Sequence, residues 1–379
     1  MQYRHFPRIE DEEISVLGMG CMRLPTLAGS PAAIDEAATE KMFLAAIEAG
    51  VNYFDTAYVY HGGRSETVLG DFLAKHNLRD RVKVATKCPV WMVKEESDWD
   101  RLLNEQLARL KTDYIDFYLF HALSAERWKT ILRLNGLRAF EKAMADGRIR
   151  HIGFSFHDSL ESFKTIVDGY NGWEMCQIQY NYMDTEYQAG NAGIEYAAAR
   201  EIGIVVMEPL RGGSLVNAPR AVREVFAEYP KPRLPVEWAL RFVMERQETV
   251  TVLSGMGSES QLWENAGIAE SARANSMTKK EMDLIDRARV IYRDKQKVPC
   301  TTCGYCMPCP FGVQIPDVFA MYNAASMFGS RSPWYKTGYV DKNTGGNACT
   351  QCGACLPKCP QGIAIPDRLA EAHGSLVSV

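Results

Sequence analysis

Eight of the eleven cysteines fall between Cys300 and Cys359, in two runs of related spacing. Cys300, Cys303, Cys306 and Cys309 follow at three-residue steps and end in Pro310, while Cys349, Cys352, Cys355 and Cys359 repeat the steps with one extra residue before Cys359-Pro360. Thiolates at three-residue steps can wrap one face of an iron–sulfur cube. A zinc site needs only two C-x2-C pairs, so four cysteines and a Cys-Pro ending in each run point to iron–sulfur chemistry, with zinc as the rival. A second chemistry comes from Asp55, Tyr60, Lys87 and His121. Singly, each has an ordinary role: a helix cap, a packed ring, a solvated cation, a hydrogen-bonded core imidazole. Together they make an acid. An ammonium beside a phenol favours phenolate and lowers its pKa, a carboxylate holds the ammonium, and an imidazole can bond the same substrate oxygen. Such a tyrosine is expected to protonate an oxyanion near neutral pH.

The elements that must position these four are legible as a repeat. Short apolar runs at 15–20, 52–56, 82–87, 115–121, 150–155, 176–180, 204–208 and 250–254 read as buried strands. Between them, 40–49, 99–110, 137–146 and 235–245 carry apolar residues at helical spacing, with Gly50 and Gly147 as C-terminal stops. Eight such units in about 250 residues predict an α/β fold, a (β/α)8 TIM barrel, whose chemistry sits at the C-terminal ends of its strands. Asp55, Lys87 and His121 end the second, third and fourth runs, and Tyr60 lies in the loop after the second. A doubly wound sheet is the alternative, but no G-x-G-x-x-G follows any strand. We place the barrel at 1–293 and a small, mainly helical iron–sulfur domain at 294–379, divided at the polar stretch Arg293–Lys297.

The run from Gly50 to Tyr60 (GVNYFDTAYVY), continued by GRSETVLG from Gly63 to Gly70, resembles the N-terminal signature of the aldo-keto reductases. With Lys87 and His121 at the expected strand ends, the resemblance covers roughly residues 10–275. It implies a TIM barrel, a nicotinamide cofactor (NADH or NADPH), and a catalytic tetrad. In it Tyr60 is the general acid, Lys87 and Asp55 tune it, and His121 positions the substrate.

The cofactor motifs of that family are followed with departures. Gly153–His157 is similar to its G-V-S-N-F strand, which places Ser155 at the nicotinamide carboxamide, although Phe156 stands for the usual asparagine. Cys176–Tyr180 matches the next strand and makes Gln177 a second amide partner. Met207 replaces a frequent ring-stacking aromatic and can still contact a ring through its polarizable sulfur. Residues 254–265 are similar to the adenosine-binding loop and helix. Glu264 and Asn265 match, but Gly255 and Gln261 replace the lysine and arginine that grip a 2′-phosphate, so NADH is expected at least as readily as NADPH. A distant cation such as Arg233 or Arg241 is the alternative grip.

The cysteine runs resemble the two-cluster bacterial ferredoxins, with a shortened first motif. That resemblance implies two [4Fe–4S] clusters, one held by Cys300, Cys303, Cys306 and Cys359, the other by Cys349, Cys352, Cys355 and Cys309. Each run is followed by a matching segment, GVQIPD from Gly312 and GIAIPD from Gly362, and then by an expected helix, which makes an internal repeat. The 39 residues between Cys309 and Cys349 exceed the spacing of compact ferredoxins, so a helical type is expected. Cys21, Cys88 and Cys176 read as small buried hydrophobes, with Cys88 open to activation by the neighbouring Lys87. Trp91, Tyr182 and Trp334 are aromatic candidates for a substrate pocket, ordinary packing being the alternative.

Composition bounds the function. The 379 residues are 46% hydrophobic and 24% charged with a net charge of -4, which fits a globular enzyme and gives no reason to expect nucleic acid or an anionic membrane as partner. No signal-like N-terminus or long apolar run is present, and a cytoplasmic location is expected. Three functions remain open. The first is hydride transfer between NAD(P)H and a small-molecule carbonyl or alcohol. The second is a ferredoxin-linked reductase whose clusters exchange electrons with the barrel site and with an electron-carrier protein such as ferredoxin. The third is a redox-sensing or partner-binding module with little turnover.

Overall fold

The computed structural model describes residues 1–27, 33–300, 304–328, 339 and 345–377. Ten strands occur among them: β1 Tyr3–Phe6, β2 Ile9–Ser15, β3 Leu17–Gly20, β4 Tyr53–Asp55, β5 Lys83–Cys88, β6 Ile115–Leu123, β7 Ile149–Phe156, β8 Met175–Gln179, β9 Gly203–Met207 and β10 Thr249–Ser254. β3 to β10 pair in parallel in sequence order, and β10 closes on β3, giving an eight-stranded barrel. Each expected strand is present within two residues of its expected ends.

Helices alternate with the strands: α1 Glu36–Glu48, α2 Ser65–His76, α3 Ser97–Leu110, α4 Ala125–Arg133, α5 Gly136–Ala145, α6 Leu160–Asp168, α7 Gly190–Ala198, α8 Arg220–Phe226, α9 Pro235–Met244, α10 Glu259–Ser271 and α11 Lys279–Arg293. Their starts follow local chemistry. Asp35, Ser124, Ser159 and Ser258 each accept a backbone N–H from the first turn of the helix they precede. No helix among the described residues is long and apolar enough to cross a membrane.

The antiparallel hairpin β1–β2 is an element that apolar periodicity did not reveal. Its Phe6, Ile9 and Ile14 join Tyr53, Phe117, Leu119, Met175 and Val250 of the barrel strands in one buried cluster. Gly203 at the start of β9 makes room for it, since a Cβ there would lie 2.2 Å from Phe6 Cδ1. Register explains what stands above this layer. Lys87 pairs with Leu119, Leu119 with Gly153, and Ser155 with Gln177. Side chains alternate along a strand, so the positions two residues beyond the apolar inward layer also face the barrel axis. Those positions are Asp55, Lys87, His121, Ser155 and Gln177.

The chain divides into two compact units, Met1–Gly212 with Val236–Thr278, and Gly213–Pro235 with Lys279–Val379. In the second unit α8 and α11 go together, with Arg287 paired to Glu228 and the buried Glu281 to Arg233. Two further helices, α12 Ile315–Phe328 and α13 Ile365–Val377, pack around Val298, Val313, Phe319, Ile363 and Leu369, with Cys300, Cys306, Cys309, Cys349, Cys355 and Cys359 against this core. Asn323 on α12 pins the chain leading into the first cysteine run, accepting from Lys297 N and Val298 N and donating to Val298 O. The internal repeat is also a structural repeat. Gly312 and Gly362 have φ of +76° and +63°, a left-handed turn open to glycine at little cost, and each N–H bonds the carbonyl of the preceding Cys309 or Cys359.

Candidate active site and cysteine-lined cavities

Lys87 is fully buried, and its Nζ donates to both oxygens of the nearly buried Asp55 and to Thr56 O, all at 2.7 Å. Burial pulls the lysine's pKa down, but the Asp55 carboxylate and Tyr60 outweigh it and the net direction is up, so it remains an ammonium. It lies 5.0 Å from the centroid of the Tyr60 ring. The Tyr60 ring is in turn edge-on to His121 at 6.0 Å between centroids. The four expected residues are therefore brought together.

One expectation is corrected. The phenol of Tyr60 sits above its ordinary pKa, because burial raises it more than Lys87 lowers it and Asp55 adds to the rise. Tyr60 is thus held as the protonated phenol. His121 moves the other way: burial, then the Lys87 ammonium, lower it to about 2, leaving a neutral imidazole whose buried Nδ1 has no hydrogen-bond partner. A neutral imidazole carries one N–H and one lone pair, on its two opposite nitrogens.

A network that the linear motifs did not reveal holds this arrangement. Glu66, fully buried on α2, accepts from Thr86 Oγ1 at 2.6 Å, from Gln106 Nε2 and from Arg109 Nη1, while Gln106 Nε2 also reaches Lys87 O. Burial raises the Glu66 carboxyl's pKa, against the opposing bonds from Thr86 and Gln106. The loop bearing Tyr60 is fixed at both ends. Thr56 Oγ1 and Ser65 Oγ share a hydrogen bond, Arg109 bonds Tyr58 O, and Leu24 N donates to His61 Nε2. Signals for this set were present only as the Arg64-Ser-Glu66 part of the signature; Gln106 and Arg109 lie a full helix away in sequence.

Around the tetrad stand the expected amide partners. Ser155 Oγ accepts from Ala122 N at 2.7 Å, which leaves its hydroxyl proton available. Gln177 donates to Met207 Sδ at 3.7 Å, and its Oε1 is buried without a partner. An orphaned acceptor beside an available O–H is the complement of a carboxamide. Phe156 is buried and packs on Phe163 of α6. Gly255, Gln261, Glu264 and Asn265 gather instead at the β10–α10 junction. There Asn265 Nδ2 donates to Ser254 Oγ, Gln261 Oε1 accepts from Gly257 N, and Glu264 is exposed. Arg233 and Arg241 are engaged by Glu281 and Glu237. Arg23, unremarked in sequence, lies beside Gly255, where a Cβ would meet its side chain at 3.4 Å, and donates to Gly212 O.

Of the other candidates, Trp91 is 44% exposed at the mouth with its ring 5.1 Å from His121, Tyr182 is buried, and Trp334 lies outside the described residues. Cys21, Cys88 and Cys176 are fully buried. Burial pushes the Cys88 thiol up to about 12, so proximity to Lys87 does not activate it.

In the second unit the thiols ring two cavities. One is lined by Cys306, Cys309, Cys349, Cys352 and Cys355. The other is lined by Cys300, Cys306 and Cys359 against Ile315, Phe319, Ile363 and Ile365. Cys303 lies outside the described residues. Gln351 N donates to Cys349 Sγ at 3.4 Å. Among the described residues no three Cys, His, Asp or Glu side chains converge as a single ion requires. Soft thiol donors spaced around an apolar cavity suit a multi-iron sulfide cluster.

Comparison with known proteins agrees with both units. Residues 16–289 match the Aldo/keto reductase family, and residues 299–364 match the 4Fe-4S dicluster domain. An uncharacterized oxidoreductase, YqkF of Bacillus subtilis, is 27% identical over 308 residues, spanning 73% of this chain and 92% of its own. A 6-dehydroglucose reductase of Novosphingobium aromaticivorans is 32% identical over 226 residues, 56% of this chain and 69% of its own. The fold is shared with the holo form of aldo-keto reductase AKR11C1 of Bacillus halodurans, at a TM-score of 0.63 and 24% identity over 76% of this chain and 96% of the other. The chain belongs to the aldo-keto reductase family, as an NAD(P)-dependent oxidoreductase that carries a 4Fe-4S dicluster domain at its C-terminus.

Proposed function

We propose that the barrel reduces a small-molecule carbonyl, or oxidises the matching alcohol, with Tyr60 exchanging the proton. The observation that carries this reading is the protonated phenol of Tyr60 standing between the neutral His121 and the Lys87–Asp55 pair. The nicotinamide, when bound, supplies or accepts the hydride. Ser155 and Gln177 would hold its carboxamide, the first donating to the carbonyl oxygen and the second accepting from the amide N–H. His121 would donate to the substrate oxygen and fix its direction. As the carbonyl carbon gains the hydride, its oxygen becomes an alkoxide, and Tyr60 transfers its hydroxyl proton there. Lys87 then faces the phenolate left behind, held in place by Asp55 until solvent returns a proton. Gly255 and Gln261 offer no charged grip on a 2′-phosphate, so NADH serves at least as well as NADPH, with Arg23 as the nearby cation for either. Tyr60→Phe is expected to abolish turnover while the protein still binds nicotinamide by fluorescence titration. Turnover retained in that variant would refute the mechanism.

A second reading concerns the tail. Cys309, Cys349, Cys352 and Cys355 are proposed to hold one [4Fe–4S] cluster, and Cys300, Cys303, Cys306 and Cys359 the other. Both would supply one-electron capacity. Cys352 is exposed, and the rings of Tyr305 and Phe311 are exposed in the same unit, which supports electron exchange with a carrier protein such as ferredoxin.

A further inference from the structure

The mouth of the barrel carries a cation that the tetrad does not use. Arg127 lies in the first turn of α4, and its guanidinium carbon sits 4.9 Å over the ring of Trp91. Trp91 is in turn 5.1 Å from His121, and His121 is 6.0 Å from Tyr60, so the cation and the proton donor are the ends of one chain of contacting rings. Arg127 is half-buried, and one of its nitrogens donates to Ala122 O, the carbonyl beside His121. Among the described residues it takes part in no ion pair. Ser124 caps α4, and Asp158 accepts from Ala125 N at the helix start. Burial lowers the arginine's pKa, and no neighbouring carboxylate raises it.

A half-buried guanidinium without an anion is costly, because its remaining N–H donors are withdrawn from water without a matching acceptor. Its position makes this worse, since a positive charge in the first turn of a helix opposes the helix dipole. Several half-buried arginines elsewhere in the barrel have an acidic partner, Arg79 with Asp116, Arg109 with Glu66 and Arg211 with Asp184, while Arg4 spends its donors on the backbone carbonyls of Met244, Arg246 and Thr249. Of the groups around His121, Lys87 is paired with Asp55, and the Tyr60 phenol and the His121 imidazole are held neutral.

We propose that Arg127 is a specificity-determining residue that binds an anionic substituent of the substrate, a carboxylate or a phosphate, while the carbonyl lies between His121 and Tyr60. This inference rests on the carbonyl-reduction reading and narrows the substrate to carbonyl compounds with an acidic group several atoms from the reacting carbon. Trp91 would form the wall between the two ends. A planar guanidinium stacked on an indole keeps its fork aimed at one place, which suits bidentate contact with either oxyanion.

The test uses the full-length holoprotein and three arms. The first is a series of straight-chain ω-oxo carboxylic acids with three to six carbons. The second is their methyl esters, and the third is glyceraldehyde 3-phosphate against glyceraldehyde. For the wild type, kcat/KM is expected to favour the charged member of at least one pair by about tenfold or more, mainly through KM. Arg127→Gln should collapse that ratio, and Arg127→Lys should restore part of it, with nicotinamide affinity and circular dichroism confirming an intact barrel. Preference among the acids assigns the site to carboxylates; preference in the third arm assigns it to phosphates. An acid-to-ester and phosphate-to-sugar ratio that is the same in wild type and Arg127→Gln overturns the inference and leaves carbonyl reduction standing. Failure of the wild type to reduce any member with either nicotinamide overturns the underlying reading as well.

Discussion

Replacing Lys87 with methionine strands the Asp55 carboxylate. In the folded chain Asp55 is 3% exposed, and both of its oxygens are met by the Lys87 ammonium at 2.7 Å; the third ammonium bond goes to Thr56 O. Removing one partner of a buried pair leaves an uncompensated charge and costs ~3–5 kcal/mol, whereas removing both costs less because no charge is left behind. Lys87→Met should therefore destabilise the barrel by that amount, and Asp55→Asn combined with it should recover a coupling of ~2–3 kcal/mol. The assay is urea unfolding of anaerobically prepared protein, followed by near-ultraviolet circular dichroism for the barrel aromatics and by cluster absorbance for the tail. The pH dependence has a definite sign. Burial already raises the Asp55 carboxyl and Lys87 opposes the rise; without Lys87 the folded pKa climbs further above the unfolded value. The folded state then binds more protons than the unfolded state, so the variant loses stability as pH rises from about 4 toward that folded pKa. Additive single costs, or a Lys87→Met variant within about 1 kcal/mol of wild type at neutral pH, would refute the account of a dehydrated ion pair beneath Tyr60.

Carbonyl reduction should show no imidazole ionisation between about pH 5 and about pH 9, because His121 is held at about 2 and Tyr60 above its ordinary value. An inflection near pH 6.5 that disappears in His121→Asn would contradict the neutral histidine. The depressed His121 pKa also predicts that stability falls as pH drops below about 6.5, since the unfolded chain then binds a proton that the folded chain does not, and that His121→Phe flattens this fall. For the tail, Cys309→Ala and Cys359→Ala should each reduce bound iron from about eight to about four per chain. Cys309→Ala with Cys349→Ala should stop at about four, and Cys309→Ala with Cys300→Ala should approach zero. Iron assay with electron paramagnetic resonance of the dithionite-reduced protein reads this, and about four irons left in the second pair would refute the crossed ligand sets. A signal raised by NADH in place of dithionite would favour the ferredoxin-linked reading.

Much of the fold was legible in the linear order of residues, because its cause is local. Apolar runs of strand length, separated by segments of helical period, appear within two residues of the barrel strands, and Gly50 and Gly147 take the positive φ that stops a helix. The hairpin β1–β2 escaped because its alternation is carried by only Phe6, Ile9 and Ile14 amid charged residues; what makes them core is the barrel floor above them. That Asp55, Tyr60, Lys87 and His121 come together, and that the cysteine runs repeat, was likewise readable, since spacing along a strand or a turn dictates which side chains share a face.

Only the tertiary structure decided the electrostatics. The same Lys87 that lowers the phenol's pKa in a pairwise view is outweighed by burial, and burial is set by distant elements that no motif contains. Glu66, Gln106 and Arg109 became one network because α2 and α3 pack side by side behind β5, and Arg127 reached Trp91 and His121 because the loops after β5 and β6 meet at the barrel mouth. Residue type and spacing determine which chemistry is available to this chain. Which protonation state, which partner and which substrate charge that chemistry meets depend on long-range packing, because desolvation and Coulomb interactions are properties of the assembled interior.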